Sequence, residues 1–106
     1  MTFKLKNILF LFIFLANTLF LSSQVKTSIR GMVEDEKGAP IFAASLYLSS
    51  NQGAYSEEDG SFIITDIIPG SYNLTASFVG FDSQTKFNII IKSKGNRSFN
   101  FILIES

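Results

Sequence analysis

Between Ser56 and Phe81 the chain reads SEEDGSFIITDIIPGSYNLTASFVGF, three turn signals set among alternating apolar residues, which confines this stretch to consecutive β-strands. Asp59-Gly60 is a dipeptide that tight hairpins favour, because both central positions of a type I′ turn need positive φ and these residues accept it at little steric cost. Phe62 and Ile64 then share one face. Pro69-Gly70 suits a type II turn, the proline presetting φ at the second position and the glycine accepting positive φ at the third. Tyr72, Leu74, Ala76 and Phe78 resume the period of two, and Gly80 closes the run.

The 106 residues suffice for one small domain, and the first of them read as an address. Lys4 and Lys6 precede an apolar run from Ile8 to Leu21, and Ser22, Ser23 and Gln24 follow it at once, the small polar ending of a secretory signal peptide. The expectation is therefore a signal peptide over residues 1–23 and a mature domain over residues 24–106. The run is shorter than the roughly 20 apolar residues a spanning helix needs, and Asn17 interrupts it, which argues against a membrane anchor. The chain has no cysteine, so disulfides and a lipidated cysteine at the cleavage point are both excluded.

Removing Lys4 and Lys6 with the leader leaves seven basic residues against nine acidic ones, a formal charge of −2. Nothing basic clusters, which argues against nucleic acid, whose phosphates call for a basic stripe. Five of the 12 phenylalanines also belong to the leader, and the remaining seven are available for a core. A domain of this size buries only about 60% of its unfolded surface, so dense packing matters.

In chain order, Val25 to Val33 alternates as a first strand, and Asp35 to Gly38 is a polar turn. Pro40 sits just ahead of an apolar run from Ile41 to Leu48, where its missing N–H removes no ladder bond. Ala44, Leu46 and Leu48 form the inward set of that run, and Ala43, Ser45 and Tyr47 the outward one. Ala54 to Ser56 reads as a short edge strand. Asp82 to Lys92 reads as one strand with Phe87, Ile89 and Ile91 on one parity, and Lys94-Gly95-Asn96 as the turn before the last strand, Ser98 to Ile104. There Phe99, Phe101 and Leu103 alternate with Asn100, Ile102 and Ile104, so the second face is also partly apolar. About seven short strands with no helical period after the leader predict an all-β sandwich, with a barrel as the lesser alternative.

The order of landmarks resembles the carboxypeptidase regulatory-like domain: Ile29-Arg30-Gly31-Met32-Val33, then Asp35, Gly38 and Pro40, Ala43-Ala44-Ser45-Leu46, Asp59-Gly60-Ser61-Phe62, Ile68-Pro69-Gly70-Ser71-Tyr72-Asn73-Leu74 and Gly80-Phe81. The resemblance spans Ile29 to Leu103 and implies a seven-stranded transthyretin-like (prealbumin-like) β-sandwich. The chain departs from the family at Ala43, where glycine is usual, and at Gly53-Ala54-Tyr55-Ser56, where a threonine-rich segment is usual. The resemblance also implies a setting. In Bacteroidetes-type bacteria such a domain behind a signal peptide often forms the periplasmic N-terminal extension of a TonB-dependent outer-membrane receptor, ahead of a TonB box and plug. The expected partner is then the receptor's plug and barrel, or another envelope protein, and the expected location is the periplasm or outer membrane.

Catalytic chemistry finds little to work with. The chain has no histidine and no cysteine, which removes Ser-His-Asp and Cys-His nucleophiles and the softer metal ligands. Glu57, Glu58 and Asp59 are contiguous, whereas a calcium loop spaces its ligands at alternate positions. They read as a solvated turn, and so do Glu34, Asp35 and Glu36, although the two clusters have the option of meeting at one end of a sandwich. No metal, cofactor or catalytic residue is expected. Asn73-Leu74-Thr75 and Asn96-Arg97-Ser98 fit the glycosylation pattern, which is idle in a bacterial host. Tyr47, Tyr55, Tyr72 and Phe81 offer an aromatic surface for carbohydrate, but packing is the more economical role for alternating aromatics in strands. The row Asn100, Ile102 and Ile104 on the last strand is the expected contact surface, because apolar residues on an outward face commonly mark a partner. Two functions remain: a non-catalytic module of a TonB-dependent receptor, or a free-standing secreted domain that binds a protein or glycan.

Overall fold

The computed structural model describes residues 25–106, so the leader expected over residues 1–23 lies outside the described residues. Eight strands follow one another: β1 (Thr27–Asp35), β2 (Ser45–Leu48), β3 (Gly53–Tyr55), β4 (Ser61–Ile67), β5 (Gly70–Ser77), β6 (Phe81–Asp82), β7 (Gln84–Ile91) and β8 (Phe101–Glu105). They form two four-stranded sheets, ordered β4-β1-β8-β6 and β3-β2-β5-β7, packed as a sandwich. The all-β expectation holds, but the strand count is eight rather than seven. The difference lies at Ser83, where one expected strand divides: Phe81–Asp82 pairs with β8 and Gln84–Ile91 pairs with β5, so the chain steps from one sheet to the other.

Inward parity is as the alternation predicts in most strands. Ile29 and Val33 of β1, Leu46 and Leu48 of β2, Phe62 and Ile64 of β4, Leu74 and Ala76 of β5, and Phe101 and Leu103 of β8 are all buried. Phe99, just ahead of β8, joins them, and Tyr72, Phe78 and Phe81 pack half-buried against this core. Phe62 and Phe101 meet across it with ring centroids 6.4 Å apart in a tilted arrangement, the geometry that aromatic quadrupoles favour.

Strand β7 departs from the expected parity. Lys86 stands opposite Leu74 but Ile89 opposite Tyr72, so β7 carries one residue more than its partner. The extra residue is absorbed by Asn88 in the left-handed region (φ 53), whose N–H donates to Asn73 Oδ1 at 3.0 Å. The resulting bulge turns Phe87 outward to solvent while Ile91 remains buried.

Three turns share one design. Gly38 N–H bonds to Asp35 O and Asp35 N–H to Ala39 O; Asn51 bonds back to Leu48, and Leu48 to Gln52; Gly60 bonds back to Glu57, and Glu57 to Ser61. In each, a type I turn is followed by a left-handed residue: Gly38 (φ 82), Asn51 (φ 70) or Gly60 (φ 84). Asp59-Gly60 therefore makes a three-residue turn and not the expected type I′ one, and its flanking strands enter different sheets. Pro69-Gly70 differs as well, because Gly70 lacks positive φ and already pairs with Ile91, while Asp66 (φ 60) takes the left-handed position upstream.

The expected strand from Ile41 is also shorter, since Ala43 has φ 65 and breaks the extended chain until Ser45. Ser56 holds this bend. Its buried hydroxyl donates to Ile41 O at 2.6 Å and accepts from Ala44 N–H at 2.9 Å. A left-handed conformation costs an L-residue about 1–2 kcal/mol, which accounts for the family's usual glycine at this position. Ala43→Gly is accordingly expected to be neutral or stabilising by up to about 1 kcal/mol, the gain being offset in part by the freer unfolded chain, as read from urea midpoints.

Gly31 on β1 has the opposite character. A Cβ there would lie 2.0 Å from Phe99 O and 2.7 Å from the Phe62 ring. Gly31→Ala is expected to destabilise the domain by more than about 3 kcal/mol, seen as a lost or much lowered thermal transition; a parent-like transition would show that β1 and the Phe99 segment are further apart than described.

Candidate interaction surface

Residues of β8 lie between β1 and β6, so the side chains opposite in parity to Phe101 and Leu103 face outward from the middle of a sheet. Ile102 and Ile104 are 56% and 45% exposed there, as the sequence predicts. Asn100 is less available, because its Oδ1 accepts the Met32 N–H at 3.0 Å and so extends the attachment of the last segment to β1. The register sets Ile102 beside Glu34 and Ile104 beside Asp82. On the far side of β1, Arg30 stands opposite Ile63, which is 42% exposed. Isoleucines from two strands thus share one outer face with Arg30, Glu34 and Asp82. Ile63 was not singled out from the sequence, although its position between the buried Phe62 and Ile64 carries the signal.

The outer face of the other sheet presents aromatics. Tyr47 and Tyr55 are exposed on β2 and β3, whereas Tyr72 packs against the core and donates its hydroxyl to Ile68 O. Phe81 also packs inward, against Phe78 at 5.9 Å. The four aromatics therefore do not form one platform. Asn73 and Asn96, the asparagines of the two glycosylation patterns, have their Oδ1 atoms engaged by the N–H groups of Asn88 and Lys92.

Both acidic turns do come to one end of the sandwich, tied together by the Val33 N–H to Gly60 O bond of 2.8 Å. They are turned to local use. Asp35 Oδ1 accepts the N–H groups of Lys37 and Ala39, each at 2.9 Å, and Asp59 Oδ1 accepts Ser61 N–H at 2.9 Å and the Ser61 hydroxyl at 2.5 Å. Among the described residues no group of three or more carboxylates is placed to hold a metal ion. A small cleft of about 160 Å³ at this end is lined by Asp35, Glu36, Lys37, Phe81, Leu103 and Glu105, and a shallower groove of about 660 Å³ runs past Tyr55, Ile63 and Arg30. Neither contains a histidine or a cysteine, since the chain has none.

The model of the carboxypeptidase regulatory-like domain matches residues 28–103, from the first strand to the last. The chain belongs to that family. Among solved structures, it is similar to chains of two type II cohesin–X–dockerin complexes from Acetivibrio cellulolyticus, both interface mutants. The C-terminal interface mutant gives a TM-score of 0.60 at 16% identity, covering 71% of this chain and 52% of that one. The N-terminal interface mutant gives 0.52 at 17% identity, covering 74% and 52%. This chain spans about half the length of the chains it matches, and at such identities the likeness is one of fold. The carboxypeptidase regulatory-like domain family is one of non-catalytic β-sandwiches.

The exposed Asp59 carboxyl is held below its ordinary value, first by the Ser61 hydroxyl and then by the Ser61 N–H. A depressed pKa in the folded state means stability that is present above the unfolded pKa and lost as pH falls through the folded one. In an NMR titration the Asp59 midpoint is expected to rise toward the ordinary value in Ser61→Ala; an unmoved midpoint would assign the depression to something other than the hydroxyl.

Proposed function

We propose that this domain is a non-catalytic module of the bacterial envelope that works by contact with another protein, as the periplasmic N-terminal extension of a TonB-dependent outer-membrane receptor. The observation that carries the contact reading is the outer face of the β1-containing sheet, where Ile63, Ile102 and Ile104 stay exposed beside Arg30, Glu34 and Asp82. Apolar residues ringed by charges are the make-up of a protein-binding patch, with burial supplying affinity and the charged rim orientation. The envelope setting is supported by the leader pattern of residues 1–23 and by the family resemblance. A second reading, a free-standing secreted domain that binds a protein or glycan, is favoured by Tyr47, exposed on the outer face of the other sheet, and by Tyr55, exposed on its edge strand.

The test joins the domain to its natural downstream sequence and compares ligand uptake, signalling and receptor abundance with and without residues 24–106. Deletion is expected to lower at least one of them. The double change Ile102→Lys and Ile104→Lys is expected to reproduce that loss with the melting temperature within a few degrees of the parent. Unchanged uptake, signalling and abundance after deletion would sink the receptor reading and leave the free-standing one.

A further inference from the structure

The first and last strands of the domain are neighbours, and they run parallel: Val33 stands beside Phe101, Glu34 beside Ile102 and Asp35 beside Leu103. In a parallel pair the start of one strand and the finish of the other lie at opposite ends. By the rise of an extended chain, Thr27 and Glu105 are roughly 30 Å apart along the strand direction. A pull between the two ends of the domain therefore acts along β1 and β8 and shears the slanted bonds that join them.

Direction decides strength here. When load runs along two paired strands, their cross-links are strained together and yield together. When load is applied across the strands from one end, the links open singly. The links available to β8 are several. Besides the three ladder positions, Phe99 N–H donates to Arg30 O at 2.9 Å and Met32 N–H to Asn100 Oδ1 at 3.0 Å. Sliding β8 also drags Phe99, Phe101 and Leu103 through a core in which they are almost wholly buried. The beginning of β1 is pinned as well, since Asn96 Nδ2 donates to Thr27 Oγ1 at 3.1 Å and Ser28 O at 3.2 Å. On its other side β1 pairs with β4 from Met32 back to Thr27, and that antiparallel ladder lies along the same axis.

We propose that the domain is a load-bearing link, in which the parallel β1–β8 contact is a shear clamp resisting tension between the two ends of the domain. This goes beyond a contact surface, because it assigns a mechanical task to the backbone order itself and holds whichever partner sits on the isoleucine face.

The chain has no cysteine, so introduced ones give unique attachment points for single-molecule pulling on the full chain. One pair, Val25→Cys with Ser106→Cys, loads the domain end to end. Another, Lys37→Cys with Ser106→Cys, draws apart two exposed points at the same end and peels β8 from β1. At equal loading rate the end-to-end unfolding force is expected to exceed the peeling force by at least about twofold, forced rupture being governed by the barrier along the pulling direction. Asn100→Ala, which removes a link deep in the pair, is expected to lower the end-to-end force and leave the peeling force unchanged, because peeling starts where Asp35 stands beside Leu103. Equal forces in the two directions, a larger peeling force, or an Asn100→Ala loss that is the same in both would each overturn the clamp.

Discussion

Close approach over Gly31 is the constraint on which the sandwich depends. With no side chain there, the Phe99 carbonyl and the Phe62 ring both reach the backbone of β1, and the segment that leads into β8 can lie against it. That approach lets Phe99 N–H bond to Arg30 O and sets β8 between β1 and the short β6. Phe101 and Leu103 then enter a core already walled by Ile29, Val33 and Ile64. Lys86 closes the flank, its ammonium over the Phe101 ring at 5.2 Å from the centroid, where the negative face of the ring attracts the cation. A side chain at position 31 would separate these layers, and burial at this scale, about 25 cal/mol per Å² of apolar surface, is the main favourable term in a domain so small.

Most of the fold was legible because a strand with one buried face writes its orientation into alternate residues. Ile29 and Val33, Leu46 and Leu48, Phe62 and Ile64, and Phe101 and Leu103 all point where the alternation sends them. Ile102 and Ile104 were legible for the same reason, with their exposure following from the burial of their neighbours. What the sequence hid were events with no periodic trace. The bulge at Asn88 moves Phe87 to the outside by adding one residue to β7, and a bulge depends on the Asn73 side chain across the sheet, 15 positions away in sequence. The step at Ser83 was missed since it falls inside the polar run Asp82 to Lys86, which contains no glycine or proline to mark a break. The turn at Asp59-Gly60 was placed but mistyped: the same dipeptide serves two turn geometries, and only the bond from Glu57 N–H to Ser61 O tells them apart. The meeting of the two acidic turns is tertiary, and no local signal reports it.

Their meeting gives the domain an uneven charge distribution. All carboxylates except Asp66 cluster toward the end where β1 and β8 finish, with Glu34, Asp35 and Glu36 close to the Glu57–Asp59 turn and to Glu105. Lys94 and Arg97 line the opposite end beside Thr27 and Ser28. Fixed dipoles of this kind orient a small protein in the field of a charged neighbour at distances within about a Debye length.

The strand order also governs when the domain can become itself. Strands β3 and β4, and likewise β4 and β5, are consecutive in sequence yet lie in different sheets, and β1 waits for a neighbour that comes near the end of the chain. A polypeptide emerging from its start can form the β2–β3 hairpin early, but the wall over Gly31 is missing until Phe99 to Leu103 have been made. Closure is therefore a late, all-at-once event dominated by distant pairings, and such topologies fold in milliseconds to seconds rather than microseconds. A chain stopped short of Phe99 would keep seven of the eight strands but lose Phe99, Phe101 and Leu103 from the core and leave β1 and β6 without the strand that joins them, so the last few residues weigh on closure out of proportion to their number.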